Sequence, residues 1–250
     1  MLSERVDRSG AQARGPWLVW VLLAAVALAG LTTMLFAPIE QLLPPGVEIP
    51  RAVLLVQPAV LLVALAALGW WTAPKVGLDA PVFRALAERG DWANPLRRAA
   101  LPALAGGVIC GLCIAAFGAI AGDVLQGRAQ AFEMPLVTRM AYGGTVEELI
   151  FRWGLLSLFA LGLTRLRVAP GAALWIANGA AALLFAAGHV PGVMLAASDP
   201  PGWLPAAVLL ANAVIGLVCG WLFMRRGIEA AMIAHALAHL VSVPLLALVA

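Results

Sequence analysis

The sequence predicts an all-α, polytopic membrane bundle, and two observations carry that prediction. First, 63% of the residues are hydrophobic and 12% charged, with mean hydropathy +0.95; soluble domains carry about 25% charge. Second, the apolar runs are continuous, and several reach the roughly 20 residues that cross a bilayer as helix. Spanning strands would show alternating polarity, so the backbone polar groups must be satisfied within helices. A chain of 250 residues leaves room for one bundle and no sizeable soluble domain.

Seven spans are expected: Trp17–Phe36, Ala52–Trp71, Ala99–Ala121, Thr145–Leu163, Gly171–Ala187, Trp203–Met224 and Ile228–Val249. The first follows a short polar head and is too long for a cleaved signal, so it reads as a retained anchor. Pro74–Arg98 is the longest polar stretch, and Val82–Arg89 within it suits a short amphipathic surface helix. Glu133–Tyr142 carries Arg139 and ends at Gly143-Gly144, which predicts a separate interfacial helix. An eighth span arises if 133–163 is divided differently. No internal repeat or low-complexity tail is present.

Basic residues set the expected orientation. With the N-terminus inside, 12 lysines and arginines fall in internal segments: Arg5, Arg8 and Arg14, five within Pro74–Arg98, then Arg165, Arg167, Arg225 and Arg226. Only Arg51 and Arg128 fall outside, with Arg139 and Arg152 in or beside the membrane. The positive-inside rule then predicts a cytoplasmic N-terminus in a multi-pass protein, and the composition suggests a bacterial plasma membrane. The net charge of +3 is spread over loops, so the pI of 9.1 implies no nucleic-acid partner. Cys110, Cys113 and Cys219 all lie in apolar runs. The single CxxC spacing has no second pair, and the three read as small buried apolar side chains.

The ionisable groups inside the apolar runs carry the chemistry, because each is costly in hydrocarbon unless it faces a cavity or a partner. Gly144-Thr-Val-Glu-Glu-Leu-Ile-Phe-Arg-Trp-Gly154 holds two glutamates and an arginine. Thr145 and Glu148 have capping-box spacing, predicting a helix start after the glycines. Glu148 and Arg152 stand at i and i+4 and can pair, which leaves Glu147 on another meridian and free for chemistry. Phe185 and His189 share a face at the end of the fifth span; Gly188 suits close approach, and Val190-Pro191-Gly192 predicts a helix break.

If spans four and five turn near Val168, Glu147 and His189 each lie 21 residues from the turn and meet at one depth. Such a pair can hold and deprotonate a water. His235 and His239 share a face of the last span, a spacing that suits metal ligands or two donors converging on one oxygen. His235 is only about 12 Å of helix rise from Arg225-Arg226, so the last hairpin must start deep or tilt.

Together these residues resemble the CPBP family of intramembrane proteases, also called the Abi or type II CAAX-protease family. Its signature is Glu-Glu-x-x-x-Arg, then Phe-x-x-x-His, then His-x-x-x-Asn or Asp, on successive helices. The matches are Glu147, Glu148 and Arg152; Phe185 and His189; and His235, with His239 at the last position. The resemblance covers about residues 139 to 240. It divides the chain into N-terminal membrane helices (1–130) and a catalytic membrane domain (131–250).

It implies about seven or eight membrane helices around a polar cavity and a membrane-associated protein or peptide substrate, prenylated CAAX-type or bacteriocin/leader-type. One mechanism it implies has Glu147 and His189 activate water while His235 and His239 stabilise the oxyanion. The other involves a divalent metal, usually zinc, for which Glu147, His189 and His235 are the candidate ligands. His239 replaces the family's Asn or Asp; a neutral imidazole still donates one hydrogen bond, and it also adds a third histidine to a Glu/His ligand set. A non-catalytic immunity or scaffold protein and a small proton-coupled transporter are the rival readings. A transporter would show paired repeats or broken helices, and no span of the first half carries a charge.

Overall fold

The computed structural model describes residues 16–38, 49–125, 134–197 and 199–248, and helix is the only regular structure among them. The helices are α1 (Pro16–Thr32), α2 (Arg51–Leu54), α3 (Val56–Thr72), α4 (Pro81–Ala87) and α5 (Ala93–Leu125). They continue with α6 (Leu136–Ala141), α7 (Ser157–Arg165), α8 (Pro170–Ala196), α9 (Leu204–Arg226) and α10 (Ile228–Ala247). Six helices are long and apolar enough to cross a membrane: Trp17–Phe36, Arg51–Val76, Ala93–Leu125, Pro170–Ala196, Leu204–Arg226 and Ile228–Ala247. The expected orientation markers Arg5, Arg8, Arg14 and Arg128, and residue Glu133, lie outside the described residues.

The fourth expected span differs most from expectation. Residues 136–165 form one uninterrupted helical run in which α6 passes into π-helical turns at Tyr142–Glu147 and Leu149–Leu156, then into α7. There is no separate interfacial helix and no helix start at Thr145. The Thr145 hydroxyl instead donates back to the Ala141 carbonyl at 2.7 Å, within the helix. Gly143 and Gly144 do not end a helix; they let α10 come close. A Cβ on Gly144 would lie 2.9 Å from both the Ala236 Cβ and the Met232 carbonyl oxygen. Where two helices touch backbone to backbone, glycine is retained for contact and says nothing of a boundary.

The fifth span is also longer than expected. α8 continues through Pro191 to Ala196, so the proline lies inside the helix and leaves the Ala187 carbonyl without its usual N–H donor. Gly188 faces open space, with nothing within 4 Å of where a Cβ would stand. Among the described residues no neighbour approaches there.

Glycines on α5 set the rest of the bundle. Gly107 faces Leu237 and the Ala234 carbonyl of α10, Gly111 faces Val241, and Gly106 faces Leu222 of α9. α10 consequently packs most extensively on α5, and α8 on α9. α3 is pinned to the long helical run by Trp153 Nε1–H donating to the Ala66 carbonyl at 3.0 Å and by a 2.7 Å hydroxyl pair between Thr72 and Ser157.

The start of α10 resolves the depth mismatch. Gly227, at φ +94°, turns the chain sharply, and the Ile228 N–H donates to the Asp79 carbonyl at 3.1 Å. The buried Glu229 carboxylate accepts the Val82 and Phe83 N–H groups at 2.8 and 2.9 Å, capping α4 from another element. α10 therefore begins with Ile228 and Glu229 already buried against α4, and His235 is buried about two turns further on. α4 overlaps the expected surface helix, starting one residue earlier and ending two residues sooner, with Leu86 exposed, Ala87 buried and an Arg84–Asp79 ion pair at its start.

Candidate active site

The π-helical run, α8 and α10 bring the motif residues together at one level. Glu147 Oε1 lies 3.8 Å from His189 Nε2, and Glu147 Oε2 lies 3.6 Å from His235 Nε2. Both distances exceed a direct hydrogen bond and leave room for one shared atom between the partners. Glu147 and His189 are partly open, with side-chain exposures of 17% and 34%, whereas His235 is buried. The cluster is therefore less enclosed on its Glu147–His189 side.

Each imidazole is oriented through its other nitrogen. His189 Nδ1 stands 2.8 Å from the Phe185 carbonyl, an acceptor, so in neutral His189 the proton is on Nδ1. His235 Nδ1 stands 2.7 Å from Glu148 Oε1, which places its proton there by the same reasoning. Both Nε2 lone pairs then point toward the Glu147 carboxylate. Three acceptors converge, and such a site draws in a proton donor or a cation.

Behind them lies a closed layer. Arg152 Nη1 is 3.1 Å from Glu148 Oε1, the i, i+4 pair expected from the sequence, with both side chains buried. The pair is close but not aligned for hydrogen bonding: Glu148 Oε2 and both Arg152 Nη atoms lack hydrogen-bond partners among the described residues. The Arg152 guanidinium also rests 4.6 Å from the Phe185 ring centre, a contact worth about 2 kcal/mol where water is excluded. Phe185 meets His189 at 4.5 Å and, edge-on, His235 at 5.7 Å and Phe151 at 5.3 Å. One buried ring thus fixes both imidazoles and the guanidinium.

His239 stacks on His235 with ring centres 5.4 Å apart. A Cβ on Gly143 would meet His235 Nε2 at 2.9 Å and His239 Nε2 at 3.0 Å, so both nitrogens lie over the bare backbone of that residue. All four candidate catalytic residues therefore belong to one cluster, but His239 approaches through Gly143, one turn from Glu147. Gly143 is the residue that sequence reasoning assigned to the wrong task.

Two donor sets bear on a metal. Glu147 with the Nε2 atoms of His189 and His235 offers a carboxylate and two lone pairs whose Nδ1 partners are already in place, the outer arrangement of metal-binding histidines. The donor types of that set suit a divalent ion, but its ligand atoms do not form a group in which all lie within 4.8 Å of one another. One ligand atom from each of Glu148, Cys219 and His235 falls within 4.8 Å of the others, all three buried. A cation there would face the Arg152 guanidinium on the same carboxylate, which makes this second set the poorer one. Cys219 was not distinguishable by sequence from the other free thiols, Cys110 and Cys113.

The profile of the type II CAAX prenyl endopeptidase, Rce1-like, family matches residues 130–241. No curated protein and no solved structure matches the chain. The matched segment contains Glu147, Glu148, Arg152, Phe185, His189, His235 and His239, the residues that converge in space, and across it the chain is similar to the CAAX-type intramembrane proteases.

Proposed function

We propose that this protein is an intramembrane endopeptidase that hydrolyses a peptide bond of a membrane-associated substrate, of prenylated CAAX type or a leader-type peptide. The observation that carries the reading is the convergence of the Glu147 carboxylate with the Nε2 atoms of His189 and His235 at 3.8 and 3.6 Å. A water in that space can donate to Glu147, which takes its proton as it attacks the scissile carbonyl. His189, held by the Phe185 carbonyl, orients the water.

His235 has its Nδ1 proton on Glu148, so it donates from Nε2 only as imidazolium. Glu148, next to Arg152, supplies the counter-charge. His239 donates to the developing oxyanion from the adjacent turn. The proton on Glu147 then passes to the departing amine, which closes the cycle. A divalent metal, if bound, would be held by Glu147, His189 and His235 and would polarise the carbonyl as a Lewis acid.

Lys75, Arg84, Arg89, Arg97, Arg98, Arg165, Arg167, Arg225 and Arg226 all occur where α3–α5, α7–α8 and α9–α10 connect. By the positive-inside rule that end is cytoplasmic, which puts the N-terminus on the cytoplasmic side of the membrane. The test is a proteoliposome assay with a farnesylated CAAX-type peptide and a panel of unmodified leader peptides, products identified by mass. Cleavage at a single bond of at least one membrane-bound peptide is expected. An intact panel would refute the proposal.

A further inference from the structure

Where α9 turns into α10, away from the Glu147 cluster, a cavity of about 360 Å³ opens among Asn94 and Arg98 of α5, Arg225 and Arg226 of α9, Asp79 and Gly227. Three arginines line it against one aspartate. That carboxylate is already committed: Asp79 pairs with Arg84 and accepts the Ala80 N–H at 2.7 Å. Arg98, Arg225 and Arg226 form no ion pair among the described residues. Arg225 and Arg226 sit at a helix C-terminus, where the helix dipole favours cations. Arg98 has no such excuse. It stands near the start of α5, the end that favours anions, so three positive charges are gathered around a space rather than around a partner.

We propose that this cavity binds a phosphate-bearing anionic group. Guanidinium forks match phosphate oxygens in paired hydrogen bonds, and three of them from two helices can grip one phosphate from different sides. Pro95, Phe223 and Met224 form an apolar wall beside the arginines, suited to carbon attached to the phosphate. The anionic phospholipid of a cytoplasmic leaflet and a free phosphate ester both supply this chemistry.

The position gives the site a consequence. Its wall is the Gly227 turn packed on Pro81, from which α10 departs with its Ile228–Asp79 and Glu229–α4 hydrogen bonds. A phosphate joining α5 to the end of α9 braces the base of the helix that carries His235 and His239. Binding there stabilises the folded protein by mass action.

The test uses the full chain in neutral detergent, with unfolding temperature followed as short-chain phosphatidylglycerol, the matching phosphatidylcholine, glycerol phosphate or inorganic phosphate is added. A saturable rise with phosphatidylglycerol and none with phosphatidylcholine is expected. A response to phosphatidylglycerol alone identifies a lipid headgroup, whereas an equal response to the soluble phosphates identifies a free phosphate ester; both support the site. Arg98→Gln, which keeps the α9 arginines and the orientation signal, should weaken the response about tenfold. Arg97→Gln removes the neighbouring charge outside the cavity lining and should change it little. Equal responses to both lipids, an unchanged Arg98→Gln response, or equal loss in Arg97→Gln would overturn the proposal.

Discussion

Gly143 is where the long π-helical run and α10 come within touching distance, and it separates positioning from stability. A methyl group there would push against His235 Nε2 and His239 Nε2, at 2.9 and 3.0 Å. Displacement of a catalytic group by about 1 Å costs on the order of 10² in rate. Gly143→Ala is therefore expected to lose activity on that scale while remaining folded. Gly188→Ala, which adds a methyl in open space on α8, should retain activity and gain up to about 1 kcal/mol of helix stability. Cleavage rates and unfolding temperatures of the two variants, side by side, check both expectations.

His239 yields a second residue-scale prediction, because it stands where the family has Asn or Asp. As an oxyanion donor it is replaceable by an amide, so His239→Asn should keep much of the activity. His239→Ala should cost on the order of 10²–10³. If His239→Asn lost bound metal together with activity, the residue would be a ligand instead; metal analysis of the purified variant decides this.

At the scale of elements, the helix-to-helix ties are polar and few, so they are sensitive to single changes. Glu229 caps α4 from α10 with two N–H bonds. Glu229→Ala should cost about 1–2 kcal/mol, as loss of a helix cap does, and Glu229→Gln less, since its amide oxygen still accepts. Denaturation of the purified variants measures the difference. The buried Glu148–Arg152–Phe185 layer is less forgiving: Arg152→Leu leaves the Glu148 carboxylate facing only His235 and should cost about 3–5 kcal/mol.

What could be read from the sequence follows from the same distinction between local and tertiary causes. The apolar runs and the turn between Arg165 and Pro170 were legible, because bilayer thickness and helical rise fix them locally. The Glu148–Arg152 pair and the meeting of Glu147 with His189 were legible from spacing alone. The continuous run through Gly143-Gly144 was not, because the glycines answer to α10, over 85 residues away in the chain. Pro191 was misleading for a related reason: a helix inside a bundle can retain a proline that would end an isolated one. The position of Cys219 beside Glu148 and His235, and the depth at which α10 starts, depend on packing that no local pattern encodes.

For the molecule as a whole, the central claim is that a carboxylate set between two imidazoles within an all-helical membrane bundle activates water to cut a peptide bond. Everything behind Glu147, from Phe185 and Arg152 to the Glu229 anchor of α10, serves to hold that geometry. Glu147→Gln keeps the size and hydrogen-bonding ability of the side chain but removes the base. The most direct measurement is the single-turnover cleavage rate of wild type and Glu147→Gln in the same proteoliposomes, with unfolding temperatures taken in parallel. Cleavage lowered by about 10² or more in Glu147→Gln, with the unfolding temperature preserved, is the predicted result. Wild-type cleavage rates in a folded Glu147→Gln variant would contradict the account.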